Sequence, residues 1–117
     1  MSKVAIVCNG CEPKSIYPSF VFGSAAAALG EEVVLLVCPA GAPAMRAGEL
    51  EKMQVPGMPD LSDLVSGFQS AGGRIQLCEL ALETGALMME ELREGVEVVG
   101  VTTFLVDTQD ASRTFCF

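Results

Sequence analysis

Residues 32–38, EVVLLVC, are a continuous apolar run rich in β-branched side chains, with Gly30 before it and Pro39 and Gly41 after it. A strand with one wet face alternates apolar and polar residues; this one does not, so it reads as a strand covered on both faces, as in a parallel sheet flanked by helices. Lys3 to Cys8, KVAIVC, reads the same way. Between them Ser15 stands where a helix cap belongs, the helix runs to about Leu29, and Gly30 suits the left-handed residue that ends it. These elements make one βαβ unit. The helix segment SFVFGSAAAALG is apolar or small nearly all round, which predicts that one side meets the sheet and another a second subunit.

Working outward, residues 39–59 mix Pro, Gly and Met, and one helix is expected there from Pro43 to Met53. Asp60 caps a further helix with Leu61, Leu64, Val65 and Phe68 at i, i+3, i+4, i+7 spacing, closed by Gly72. Arg74 to Leu77 reads as a third strand that ends in Cys78, and Glu79 to Glu83 as a helix interrupted at Gly85. A second helical piece, Met88 to Arg93, ends at Gly95. Glu97 to Val101 is a fourth strand, Thr102 to Ala111 a loop or short helix, and Arg113 to Phe117 a fifth, edge strand. Strands alternating with helices predict an α/β fold, a three-layer α/β/α sandwich with a mainly parallel sheet of about five strands. The whole chain, 1–117, reads as a single domain, long enough to bury roughly two-thirds of its unfolded surface.

Composition narrows the function. The net charge is −8, and the seven basic residues are scattered singly, so nothing matches the clustered Lys and Arg that a phosphate backbone or an anionic membrane requires. Nucleic acid and membrane are both excluded as partners on this reading. The apolar part of MSKVAIVCNG is too short for a signal peptide, and Val33 to Val37 is far short of a membrane span, so a cytoplasmic protein is expected. Thiols stay reduced there, so the five cysteines read as reactive, metal-binding or buried residues rather than a disulfide framework.

Sites in parallel α/β sheets gather beyond the carboxyl ends of the strands. Cys8, Cys38 and Cys78 each fall at such an end, and Cys11 lies in the loop after the first. Cys78 stands at a strand-to-helix junction, where unpaired backbone N–H groups and a helix dipole favour a thiolate without a histidine, of which the chain has none. Glu79 beside it works against a second negative charge. The competing view is that Cys78 is a small buried hydrophobe.

Cys8-Asn-Gly-Cys11 is a CxxC, open to three readings: an incidental structural pair, a redox or sulfur-relay dithiol, or half of a metal site completed by two of Cys38, Cys78 and Cys116. No metal site is assigned. No cofactor is assigned either, because the first strand-to-helix turn lacks G-x-G-x-x-G, and GCEPKS lacks the glycine and a backbone donor of a phosphate loop.

With these elements in place the chain resembles the DsrE/DsrF-like family of small sulfur-carrier and sulfurtransferase proteins over nearly its whole length. The likeness rests on a Gly-Gly-Arg-Ile strand leading to Cys78, a short helix and Gly85-Ala86-Leu87. It extends to ELREGVEVVGVTTFL (residues 91–105) and to the Ala-rich first helix followed by Gly30 and VVLLV. The resemblance implies a parallel five-stranded sheet, a homotrimer or homohexamer, and a cysteine that accepts sulfane sulfur as a persulfide and passes it to a partner thiol, often on a TusA-like carrier. Carried to this chain, that residue is Cys78. Cys8, Cys11 and Cys38 stand outside the family pattern as a secondary thiol site, and the alternatives remain a metal-binding or dithiol module using Cys8 and Cys11, or a non-catalytic subunit of such an assembly.

Overall fold

The structure is a computed structural model and describes residues 2–117. Strands β1 (Lys3–Cys8), β2 (Glu32–Val37), β3 (Arg74–Cys78), β4 (Val96–Val99) and β5 (Arg113–Cys116) form one sheet in the order β4-β3-β2-β1-β5. Every neighbouring pair is parallel, so the expected parallel five-stranded sheet is observed. Helices α1 (Pro13–Ala28), α2 (Glu49–Lys52), α3 (Leu61–Ser70), α4 (Leu80–Glu83) and α5 (Val101–Asp107) make the connections.

The strand order dictates the layers. The chain steps from β1 to β2 to β3 in one direction across the sheet, so right-handed crossovers put α1 and α3 on the same face. From β4 it returns across the full width to β5, and the same handedness puts α5 on the other face. The pleat then sorts the side chains. Val4, Ile6, Val33, Leu35, Val37, Ile75 and Leu77 point toward α1 and α3, where Ile16, Phe20, Val65 and Phe68 complete a large core. Ala5, Val34, Leu36 and Cys78 point the other way and meet only Phe104 of α5 among buried residues.

Four local expectations are corrected. Ser15 is not the cap of α1: the helix starts at Pro13 after an extended Glu12 that makes no side-chain cap. Proline at the first helical position lacks only an N–H that the helix would leave unpaired, and its φ is already helical, so the start moves upstream and Ser15 is buried inside. The helix expected from Pro43 to Met53 is instead a 3-10 helix, Pro39–Met45, an extended Arg46, and the single turn α2. The breaks follow from Gly48 at φ +88° and from an antiparallel bridge between Arg46 and Leu92.

The helical piece expected over Met88 to Arg93 shrinks to a 3-10 turn, Met89–Glu91. Strand β4 begins a residue earlier than expected and stops at Val99, because Gly100 is the N-cap of α5, and the segment left as loop or short helix is that helix. Other signals act as read: the Asp60 side chain accepts from the Ser62 N–H at 2.9 Å, and Gly30 and Gly72 adopt φ +88° and +95° at the ends of α1 and α3.

Candidate functional site

Cys8 and Cys78 close β1 and β3, and Cys38 follows β2, so all three lie at the carboxyl edge of the sheet as the topology requires. The pleat separates them. Cys8 points into the α1/α3 core, and its thiol donates to the carbonyls of Gly10 at 3.4 Å and Ser15 at 3.7 Å. Burial pushes the Cys8 thiol above the usual cysteine range. Cys11, two residues before Pro13, packs half-buried against the same core.

Cys78 and Cys38 belong to the opposite face. The register pairs Leu36 with Gln76 and Val37 with Leu77, and one further step sets Cys38 beside Cys78. The backbone supports that step: Cys38 is extended (φ −77°, ψ 166°), and its N–H donates to the Cys8 carbonyl at 3.0 Å. Burial pushes the Cys38 thiol up, and the charge Cys78 would carry pushes it further, ahead of the charges of Cys8 and Cys116. Cys116 of β5 pairs with Val7, which in turn pairs with Leu36, so it lies on this face too, two strands from Cys38 and exposed. Cys116, considered from sequence only as a ligand completing a metal site with Cys8 and Cys11, joins no such cluster among the described residues, and its face follows only from the register of an edge strand.

Cys78 is 2% exposed, buried in one cluster with Ala5, Val34, Leu36 and Phe104, with Val7, Val99 and Ala111 half-buried at the margin. The helix after it, α4, is a single turn, one residue shorter than the Glu79 to Glu83 helix expected from sequence. The Glu79 side chain is turned toward Gly100, where an added Cβ would meet Oε1 at 3.0 Å, and the Glu79 N–H donates to the Val99 carbonyl at 2.8 Å.

Helix α5 is held unevenly along its length. At the far end Asp107 accepts from Gln76 Nε2 at 3.0 Å and Arg74 Nη2 at 3.4 Å, while Lys3 Nζ donates to the Asp107 carbonyl at 2.7 Å. Arg74 also holds Glu97 at 3.0 Å, and Lys3 holds Glu32 at 3.1 Å and Asp110 at 2.9 Å. Gln76 is fully buried, and its Oε1 has no partner. The middle of the helix buries one side chain, Phe104, in the cluster that holds Cys78, while Val101, Leu105 and Val106 project into solvent.

Among the described residues no three of the His, Cys, Asp and Glu side chains converge to hold a metal, and no helix is long and apolar enough to cross a membrane. A cavity of about 350 Å³ opens beside α1 and β5, lined by Val4, Phe22, Ala26, Leu29, Arg113 and Phe115, with no cysteine in its wall.

No family model matches the sequence. Over 89 residues, 76% of this chain, it is 32% identical to the uncharacterized protein MJ0760 of Methanocaldococcus jannaschii, and it spans only about a third (32%) of that protein's length. Among solved structures, the ychN protein from E. coli matches with a TM-score of 0.79 and 20% identity over the full length of both chains. MTH1491 from Methanobacterium thermoautotrophicum, a protein of unknown function, matches with a TM-score of 0.69 and 17% identity over 98% of this chain and 99% of its own. At such identities the likeness is one of fold. That fold is a parallel sheet between helical layers.

Proposed function

We propose that this chain is a DsrE/DsrF-type sulfur carrier that holds sulfane sulfur as a persulfide on Cys78 and relays it to a thiol of a partner protein. The observation that supports it most is the position of Cys78: the last residue of an interior strand, at the carboxyl edge of a parallel sheet, in a cluster to which α5 adds one buried aromatic side chain. Sulfur transfer between thiols is attack of a thiolate on a sulfane sulfur, formally like thiol–disulfide exchange, so it needs nucleophile, leaving group and access but no histidine. A reducing compartment such as the cytoplasm suits five free cysteines. The exposed Val101, Leu105 and Val106 of α5 suit docking of a TusA-like carrier near Cys78, and the exposed Phe22 and Leu29 on the α1 segment suit assembly into a homotrimer or homohexamer.

The test is to incubate the reduced protein with polysulfide, remove the excess and locate the added sulfur by peptide mass spectrometry. Addition at Cys78, lost in Cys78→Ser while the fold is retained, is the expected result. A second reading has one observation behind it. The 2% exposure of Cys78 suits a non-catalytic subunit in which the thiol only fills space, and in that case no cysteine on this face takes up sulfur.

A further inference from the structure

We propose that Cys38 is the entry thiol of a two-cysteine relay, taking sulfane sulfur from solution and handing it to Cys78. The inference rests on the carrier reading of Cys78 and deepens it.

Access makes a second thiol necessary. A donor cannot reach a sulfur that is 2% exposed without the cover opening, whereas Cys38 is half-buried at the surface on the same face. Cys38, extended and one step past the last pair of β2 with β3 (Val37 with Leu77), is set beside Cys78, and neighbouring strands of a sheet run about 4.8 Å apart. That spacing falls within the Cα separations of about 4.4–6.8 Å that allow two cysteine sulfurs to meet without backbone movement. The continued ladder bond from the Cys38 N–H to the Cys8 carbonyl holds Cys38 in that register. The 3-10 helix that follows packs Ala42, Ala44 and Met45 into the opposite core, and Cys38 stays only half-buried. Cys8 and Cys11 cannot take its place, because the sheet lies between them and Cys78.

The transfer balances without an oxidant. In loading, the Cys38 thiolate attacks a sulfane sulfur of inorganic polysulfide; a bond from Cys38 Sγ to that sulfur forms, and the shortened polysulfide leaves with the electron pair of the bond that breaks. In the relay, the Cys78 thiolate attacks the outer sulfur of the Cys38 persulfide. The bond to Cys78 Sγ forms, the bond to Cys38 Sγ breaks, and Cys38 leaves as thiolate and takes up the proton that Cys78 gave to solvent. Attack on the inner sulfur would instead give a Cys38–Cys78 disulfide and hydrosulfide.

The experiment is a time course of the whole protein with inorganic polysulfide, quenched by alkylation and read by peptide mass spectrometry, on wild type, Cys38→Ser and Cys38→Ala. In wild type, added sulfur rises first on Cys38 and falls there as it rises on Cys78. In both variants, loading of Cys78 slows by about tenfold or more, because it then waits for local opening of a buried thiol. Loading of Cys78 at the wild-type rate in either variant overturns the relay and leaves the carrier reading standing. Sulfur that never reaches Cys78 in wild type overturns both. A Cys38–Cys78 disulfide as the main product also overturns the relay. The order of appearance in wild type decides the matter even where a variant folds poorly.

Discussion

Truncating Phe104 to alanine tests whether α5 is the cover over Cys78. Phe104 is 5% exposed and is the one buried residue that α5 sets over Ala5, Val34, Leu36 and Cys78. Phe→Ala changes in cores cost about 3–5 kcal/mol; this cluster is small and its margin half-exposed, so the low end, about 3 kcal/mol, applies. A domain with roughly 5–15 kcal/mol of stability remains folded after that loss. If Cys78 is reached by lifting of α5, the Phe104 contacts are already absent in the open state, so the whole loss appears in the opening equilibrium. About 3 kcal/mol then corresponds to roughly a hundredfold faster labelling. Pulses of N-ethylmaleimide followed by peptide mass spectrometry read Cys78, with exposed Cys116 as the internal control whose rate stays unchanged. The double variant Phe104→Ala, Cys38→Ser should regain direct loading of Cys78 by polysulfide. A Phe104→Ala protein that melts lower but labels Cys78 within about threefold of wild type refutes the reasoning, because access would then come from elsewhere.

Three further outcomes are expected. Gly73→Ala drives a methyl group into the Phe68 ring, which is fully buried and packed edge-on to Phe20 at 5.7 Å, so thermal melting should show a loss of about 1–3 kcal/mol. Acid should weaken the fold through Asp110 and Glu51. The hydrogen-bonded Lys3 ammonium holds Asp110 below the usual carboxylate range; burial pushes Glu51 up, but the Arg93 guanidinium outweighs it and leaves Glu51 lowered as well. Their folded pKa values lie below the unfolded ones, so their contribution is present above about pH 4 and is lost as pH falls through the folded values. Melting temperatures of Glu51→Gln and Asp110→Asn should therefore converge on wild type at low pH, and a gap that widens there would contradict this. Finally, because burial and its thiol neighbours raise Cys38, its alkylation rate should climb at higher pH than that of free cysteine, and a profile shifted to lower pH would contradict its placement beside Cys78.

The strands and the layered architecture were legible because a parallel sheet buried on both faces writes itself as apolar runs such as KVAIVC and EVVLLVC, and these bound the strands to within a residue. Asp60 and Gly72 likewise announced α3 by their chemistry. The middle segment was not legible, because Pro39, Pro43 and Gly48 each break a helix, and the Arg46 to Leu92 bridge that decides its path joins residues far apart in sequence. The same limit applies to the site. That Cys8, Cys38 and Cys78 end strands is local information, but which of them share a face depends on register and crossover direction. A CxxC spacing drew attention to Cys8 and Cys11, while the pleat joins Cys38 to Cys78 instead.

Under the proposed carrier role, the unequal cover of the two faces bears on how sulfur is held and released. A persulfide has to be shielded from solvent thiols that would discharge it, and then has to be surrendered to one partner. The α1/α3 face cannot serve both ends, because its core interlocks across several elements and opening it amounts to unfolding. The α5 face can. Asp107, bound by Gln76, Arg74 and Lys3, anchors one end of the helix, while ahead of it Phe104 is the one side chain that the helix buries in the cluster with Cys78. A partner that seated its own apolar side chains against Val101, Leu105 and Val106 would gain most from the conformation in which Phe104 has lifted, and by its differential affinity would shift the population toward it. Release of sulfur would then be coupled to the arrival of the acceptor rather than to chance opening. The unpartnered Oε1 of Gln76, two residues before Cys78 on the same strand, adds a buried acceptor on this face, so the closed arrangement is not one in which every polar group is satisfied.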